Sequence, residues 1–259
     1  MLSLQDIESY FPANVKGFKE NILREYIQCK ILHIIFNSKI EKKISFIGGT
    51  ALRIIYNTGR FSLDLDFDNF KLSKEEFVEV SEVIKSKLEL EGFKVEIQTL
   101  IEKSTFHYYI KFPDILFENK ISSHRNEKIL IKVDTQPQDF DYKSEKKLLR
   151  KFDVLTQINV TPIDILLSMK INAVFTRKRI QGRDFYDIVF LCNKTKPNYD
   201  FLNLKLGIKN SNELREALIQ KCKELNFNQL AEDIKSLAFS PSELKKIILF
   251  KEVIGEAKL

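Results

Sequence analysis

A chain of 259 residues with 44% hydrophobic and 30% charged side chains can bury a substantial core in one or two domains. No run approaches the ~18 apolar residues of a membrane span, and the opening MLSLQDIESYFPANVKG has neither a basic start nor an apolar signal core, which argues for a cytoplasmic protein without a membrane partner. The net charge of +6 points only weakly to a polyanion, and Cys29, Cys192 and Cys222 lie too far apart for a zinc site, so any metal must be held by oxygen.

Apolar positions at helical spacing predict one long amphipathic helix over 14–38. ISFIGG, residues 44–49, reads as a short strand ending on glycine. TALRIIYN, residues 50–57, reads as a helix with Thr50 near its N-terminus and Gly59 beyond its end. FSLDLDFD, residues 61–68, alternates, so Leu63, Leu65 and Phe67 face one way and Asp64, Asp66 and Asp68 the other. A helix follows over 73–92, with Ser73 as N-cap, Glu76 completing a capping box and Gly92 closing it. FKVEIQTLI, TFHYYIKF and KILIKVDTQ read as three more strands. Beyond about residue 155 the pattern turns helical, with helices expected at 162–178, 183–194, 211–224, 226–237 and 241–256. The order predicts an α+β fold: a mixed sheet with flanking helices, then an all-helical domain.

Three carboxylates on one strand face repel one another unless something positive sits among them. A solvated edge strand is one explanation. A calcium loop is a second, but Asn69 stands where that loop needs glycine and Lys71 is out of place. A magnesium site on the strand face is the third, with the ion bridging a nucleotide's phosphates. Gly48 and Gly49 add weight to the third. They follow a strand and precede a helix, so backbone N–H groups and the helix N-terminus can meet an anion, with the Thr50 hydroxyl beside them. A phosphate cradle one helix away from paired carboxylates suits nucleotidyl transfer.

GGTALRIIYNTGRFSLDLDFD, residues 48–68, resembles the signature of the AbiEii family of nucleotidyltransferase-like toxins, which includes the MenT toxins. That family belongs to the DNA polymerase β-type nucleotidyltransferases, marked by Gly-Gly or Gly-Ser, a helix, then Asp-x-Asp. Gly48, Gly49 and Thr50 match the first element, with threonine where many relatives carry serine. Asp64 and Asp66 match the second, and Arg60 and Ser62 resemble the R-x-S-x-D lead-in. A second block, residues 161–191, resembles the family's helix lysine followed by Arg-Asp-x-x-Asp, at Lys170, Asp184 and Asp187.

The resemblance implies a nucleotidyltransferase-type sheet domain over 1–155 and a helical domain over 156–259 that completes an active-site cleft. Asp64 and Asp66 would hold Mg2+, with Asp134 as the customary third carboxylate; a solvated strand-end acid is the other reading of Asp134. Gly48, Gly49 and Thr50 would contact the phosphates of a nucleoside triphosphate (NTP), and Lys170 would neutralise the triphosphate. Asp184 or Asp187 would orient Lys170 or act as base, whereas a plain interhelical salt bridge between Lys170 and Asp187 is the alternative. The implied protein is a toxin of a toxin–antitoxin or phage-defence system, with a cognate antitoxin and tRNA as acceptor. Its rivals are nucleotidylation of a protein or small molecule, and a catalytically silent nucleotide-binding module. The basic junction RKRIQGR (Arg177, Lys178, Arg179, Arg183) and the run KKLLRK at 146–151 read as an RNA track or as solvated faces.

Overall fold

The computed structural model describes residues 1–102, 105–257 and 259. The chain divides into two compact units, one of residues 1–57 and 61–160, the other of residues 58–60 and 161–259. The first contains helices α1 (Leu4–Glu8) and α2 (Lys19–Phe36), strand β1 (Ile44–Ile47), α3 (Gly48–Tyr56), β2 (Leu65–Asn69), α4 (Lys74–Leu90), β3 (Glu96–Glu102), β4 (Thr105–Phe112), α5 (Ile115–Glu118), β5 (Ile129–Pro137), β6 (Glu145–Lys151) and β7 (Val154–Val160). The second holds α6 (Ile163–Thr176), α7 (Gly182–Cys192), α8 (Tyr199–Leu206), α9 (Ser211–Lys221), α10 (Phe227–Glu232), α11 (Pro241–Ile248) and α12 (Phe250–Glu256). The architecture is a mixed α+β sheet flanked by helices, followed by an all-helical region. No described helix is long and apolar enough to cross a membrane.

The described strands form one sheet in the order β3-β4-β5-β2-β1-β7-β6. β2 runs antiparallel to β1 and parallel to β5, and β5 runs antiparallel to β4. Strand alternation sorts the faces. Leu65, Phe67, Ile131, Val133, Phe106, Tyr108 and Ile110 are buried on one of them. The other carries Asp66 beside Asp134 and Asp134 beside His107, each pair in direct register. Helices α2 and α4 pack on the sheet and on each other.

Helix α2 is shorter than the predicted 14–38, because the chain turns through a 3-10 stretch at Ala13–Val15 after Pro12. It is also buried nearly all round rather than amphipathic, with Arg24, Glu25, Gln28 and Lys30 among its buried residues. A buried charge is tolerated only when paired. Glu25 meets Arg53 at 2.9 Å and also Lys151, while Lys30 meets Glu91 at 2.7 Å and Asp153 at 2.8 Å.

Two strands stand where the sequence reading named none, and the second runs past residue 155 to Val160, just before the first of the expected helices. β6 and β7 form a hairpin that extends the sheet, so the KKLLRK run is an edge strand. Its Lys147 pairs with Glu145 at 2.7 Å and its Lys151 with Glu25, which leaves less charge for a polyanion than the bare run promised. The single helix expected over 241–256 is two, broken at Leu249. In the second unit α7 is central, packed by α6, α10, α11 and α12. Phe185 on α7 stands edge-on to Phe227 and Phe250, with ring centroids 5.3 and 4.8 Å away.

Candidate active site

In the first unit, the glycine and aspartate motifs adjoin. Helix α3 begins at Gly48 itself, two residues earlier than the sequence suggests, and Asn57 in the left-handed conformation closes it rather than Gly59. Its N-cap residue is Ile47, whose apolar side chain makes no cap hydrogen bond. Gly48 has φ +79°, and a Cβ built there would collide with the Asp66 carboxylate. The start of this helix and the second aspartate of the motif therefore lie side by side. The Thr50 hydroxyl is buried and donates to the backbone carbonyl of Asp64, tying the helix start to the strand. Gln28 of α2 holds the approach to β2, its Nε2 donating to the carbonyls of Ser62 at 3.0 Å and Leu63 at 2.9 Å.

Asp134 pairs in register with Asp66, and its carboxylate is taken up by Lys132 at 2.7 Å and by His107 Nδ1. Burial pulls the Lys132 ammonium pKa down, but Asp134 and, at longer range, Asp64 outweigh it and hold it above the ordinary lysine range. Lys132 is thus a positive charge set among the crowded acids. Asp68 lies on the same face but is buried, accepting hydrogen bonds from Gln138 at 3.0 Å and from Tyr142. A cavity of about 550 Å³ opens by Asn69, Phe106 and Gln138, at the other end of β2 from the glycines.

Among the described residues no group of three His, Cys, Asp or Glu side chains is arranged to hold a metal. Magnesium does not need one. It commonly takes one or two carboxylates and completes its octahedron with water and phosphate oxygens. Asp64 and Asp66 supply hard oxygen donors beside the glycine-led helix start, so the donor set fits such an ion, while Asp134 is engaged by Lys132 and His107.

The close approach at Gly48 gives a test. Gly48→Ala is expected to cost about 1–3 kcal/mol, because alanine is strained at this φ and its methyl strikes Asp66. Displacing that carboxylate should lower turnover by on the order of 10²-fold. Denaturant melts and turnover on one preparation check both; wild-type turnover would show that the contact is not part of the site.

In the second unit, Lys170, Asp184 and Asp187 come together. Lys170 Nζ is 2.8 Å from Asp187 Oδ2 and 3.5 Å from Asp184 Oδ1, and all three residues are buried. Two arginines complete the cluster. Arg60, 1% exposed, donates from Nε to Asp187 Oδ1 at 2.9 Å and from Nη2 to Oδ2 at 2.7 Å. Arg177 Nε is 3.1 Å from Asp184 Oδ2. These distances satisfy ion pairing for Asp184, yet neither of its oxygens accepts a well-aligned hydrogen bond among the described residues. Burial alone would raise the Asp187 carboxyl, but Arg60 and Lys170 outweigh it and hold it below the ordinary range. The sign follows: Asp187 contributes stability above the usual carboxylate pKa, and that contribution is lost as the pH falls through its depressed value.

The helix junction is a loop between Thr176 and Gly182. Arg177 is committed to Asp184, whereas Lys178 and Arg179 are exposed. Gly182 is where α7 meets α10 so closely that a Cβ would strike the Leu230 carbonyl. Sequence reading missed Gln28, Lys132 and His107; of these only Lys132 carried a signal, two residues before Asp134 on the same strand face.

The family model for the nucleotidyl transferase AbiEii toxin of type IV toxin–antitoxin systems matches residues 30–246. Among solved structures the chain is similar to JHP933 from Helicobacter pylori, with a TM-score of 0.57 and 18% identity over 91% of this chain and 90% of that one. It is also similar to MenT4, the nucleotidyltransferase toxin Rv2826c from Mycobacterium tuberculosis H37Rv, with a TM-score of 0.60 and 15% identity over 100% of this chain and 91% of that one. At these identities the likeness is one of fold. No curated protein matches the sequence.

Proposed function

We propose that this chain, which belongs to the AbiEii family of nucleotidyl transferase toxins of type IV toxin–antitoxin systems, transfers a nucleoside monophosphate from an NTP to tRNA. The nucleotidyl transferase class, the NTP and an antitoxin partner come with the family. The observation that carries the residue roles is the Asp66 carboxylate set against Gly48 at the start of α3. The reaction joins an acceptor hydroxyl oxygen to the α-phosphorus, breaks the bond from the α-phosphorus to the bridging oxygen, and releases pyrophosphate.

In this reading the N–H groups that begin α3 bind phosphate oxygens, and Asp64 and Asp66 hold magnesium. Bound there, the ion supplies neutralisation of phosphate charge and Lewis-acid assistance at the α-phosphorus. Lys132 moderates the repulsion between the acids. Asp134 serves as third ligand only by giving up Lys132. Lys170 takes the triphosphate charge. Asp187, enclosed by Arg60 and Lys170, orients the lysine, and Asp184 is the better candidate to accept the acceptor hydroxyl proton, since its oxygens lack well-aligned donors. NTP and tRNA as substrates imply a cytoplasmic site of action.

Incubating the protein with each labelled NTP and total RNA, with and without magnesium, tests the reading. Label at tRNA size, dependent on magnesium, is expected. Label on protein or on a small molecule would replace the acceptor, and transfer undiminished by a chelator would remove the metal.

The exposed pair Lys178 and Arg179 gives a sharper test of RNA. Transfer to tRNA should fall steeply with salt, by roughly 0.7–0.9 in logarithmic slope per phosphate neutralised. Lys178→Glu with Arg179→Glu should flatten that slope while NTP binding holds. Equal slopes for both proteins would show that the junction does not meet RNA.

A further inference from the structure

We infer that Arg60 is a positioning residue that keeps the Lys170 ammonium charge available to a polyphosphate, by neutralising Asp187 from its other side. The inference rests on the reading of Lys170 as the triphosphate-binding cation. Its basis is the arrangement of charge around two buried carboxylates. Asp187 lies between Arg60 and Lys170, and Asp184 between Lys170 and Arg177. In these ion pairs three cations share two carboxylates, an excess of one positive charge. Without Arg60, Lys170 and Arg177 would each be cancelled by a carboxylate, and an arriving polyphosphate would meet a neutral group.

Arginine suits this role better than lysine. Its fork satisfies both Asp187 oxygens at 2.9 and 2.7 Å, and it keeps its charge at any working pH. The residues before it fix its place. Gly59 N donates to the Tyr186 hydroxyl at 3.1 Å, the Phe239 N–H donates to the Gly59 carbonyl at 2.9 Å, and Arg60 bridges to Ala238 in β fashion. The short segment of residues 58–60 therefore belongs to the helical unit although its neighbours in sequence on both sides belong to the sheet unit. A buried arginine delivered this way to a carboxylate beside Lys170 does more than fill space.

A purely structural pair and a charge-balancing pair differ in how the variants combine. The probe is inorganic tripolyphosphate, whose binding is measured by calorimetry and needs no choice of base. Arg60→Gln should weaken binding by on the order of tenfold, as should Lys170→Met. Asp187→Asn, nearly isosteric and with an amide oxygen that can still accept from Lys170 and so keep it oriented, should instead tighten binding, because Lys170 loses a competing anion. Arg60→Gln combined with Asp187→Asn should recover affinity to within a few-fold of wild type. Thermal melts confirm that each variant is folded, and Asp187→Asn alone decides the matter if Arg60→Gln does not fold. Lys170→Met that binds as tightly as wild type removes the parent reading and the inference with it. Lys170→Met that binds weakly, with Asp187→Asn no tighter than wild type or with no recovery in the double variant, overturns the inference alone.

Discussion

Asp66→Asn is expected to abolish nucleotide transfer, by on the order of 10³-fold or more, in a protein that melts no lower than wild type. The two halves of that result have one cause. Asp66 stands in register with Asp134, and Asp64, just before β2, acts on the Lys132 ammonium that pairs with Asp134, so three carboxylates lie near one another. Lys132 offsets part of that repulsion. Asparagine keeps the shape and removes one of the like charges, whose effect across a strand pair is about 0.2–1 kcal/mol, so stability holds or rises slightly. The same substitution takes an anionic oxygen donor from beside Gly48, where the backbone N–H groups of α3 begin. A loss of 10³-fold corresponds to about 4 kcal/mol of transition-state stabilisation, a reasonable size for one charged group at a reacting phosphate. Melting curves add an independent check. Magnesium bound to the folded state should raise the wild-type Tm, and the rise should vanish in Asp66→Asn. Unchanged turnover, or an unchanged magnesium-dependent shift, would sink the metal assignment.

What could be read from the sequence was local. The glycine pair, the helix after it, the alternation of Asp66 and Asp68 and the Ser73–Glu76 capping box all use neighbours within a few residues, and the structure has each of them, although the strand expected over 61–68 begins only at Leu65 and leaves Asp64 before it. The misreadings have long-range causes. Residues 145–151 mix two leucines with many charges and suggest no strand until β7 is seen beside them. The charges along α2 look like a wet face, and only their distant partners, Arg53 and Lys151 for Glu25 and Asp153 for Lys30, make burial possible. No proline or glycine marks the break at Leu249. At the candidate site, the spacing of Gly48, Asp64 and Asp66 was legible because one helix joins them. Arg60 and Asp187 lie 127 residues apart, and nothing in either local pattern announces their contact. The contact of Lys170 with Asp187 was one of the readings that the sequence allowed, whereas its burial beside a second acid, Asp184, was not legible.

Lys170→Ala separates function from structure at that point. Removing one partner of a buried ion pair usually costs ~3–5 kcal/mol, because the other charge is left uncompensated. Here it is not. Asp187 keeps both hydrogen bonds from Arg60, and Asp184 keeps Arg177 at 3.1 Å. The loss of stability should therefore fall below that range and consist mainly of the cavity left by the lysine stem and one charged contact. The loss of activity should be larger in effect, on the order of 10²-fold or more, since no other cation in the cluster lacks a carboxylate of its own to take over the triphosphate charge. The loss should be felt in KM for the NTP as well as in kcat, because the charge is present on the substrate before it reacts. Steady-state kinetics alongside denaturant melts measure both on one preparation. A variant that loses the full stability of a stranded buried charge but keeps wild-type specific activity while folded would show Lys170 to be a strut between α6 and α7, and the triphosphate would need another partner.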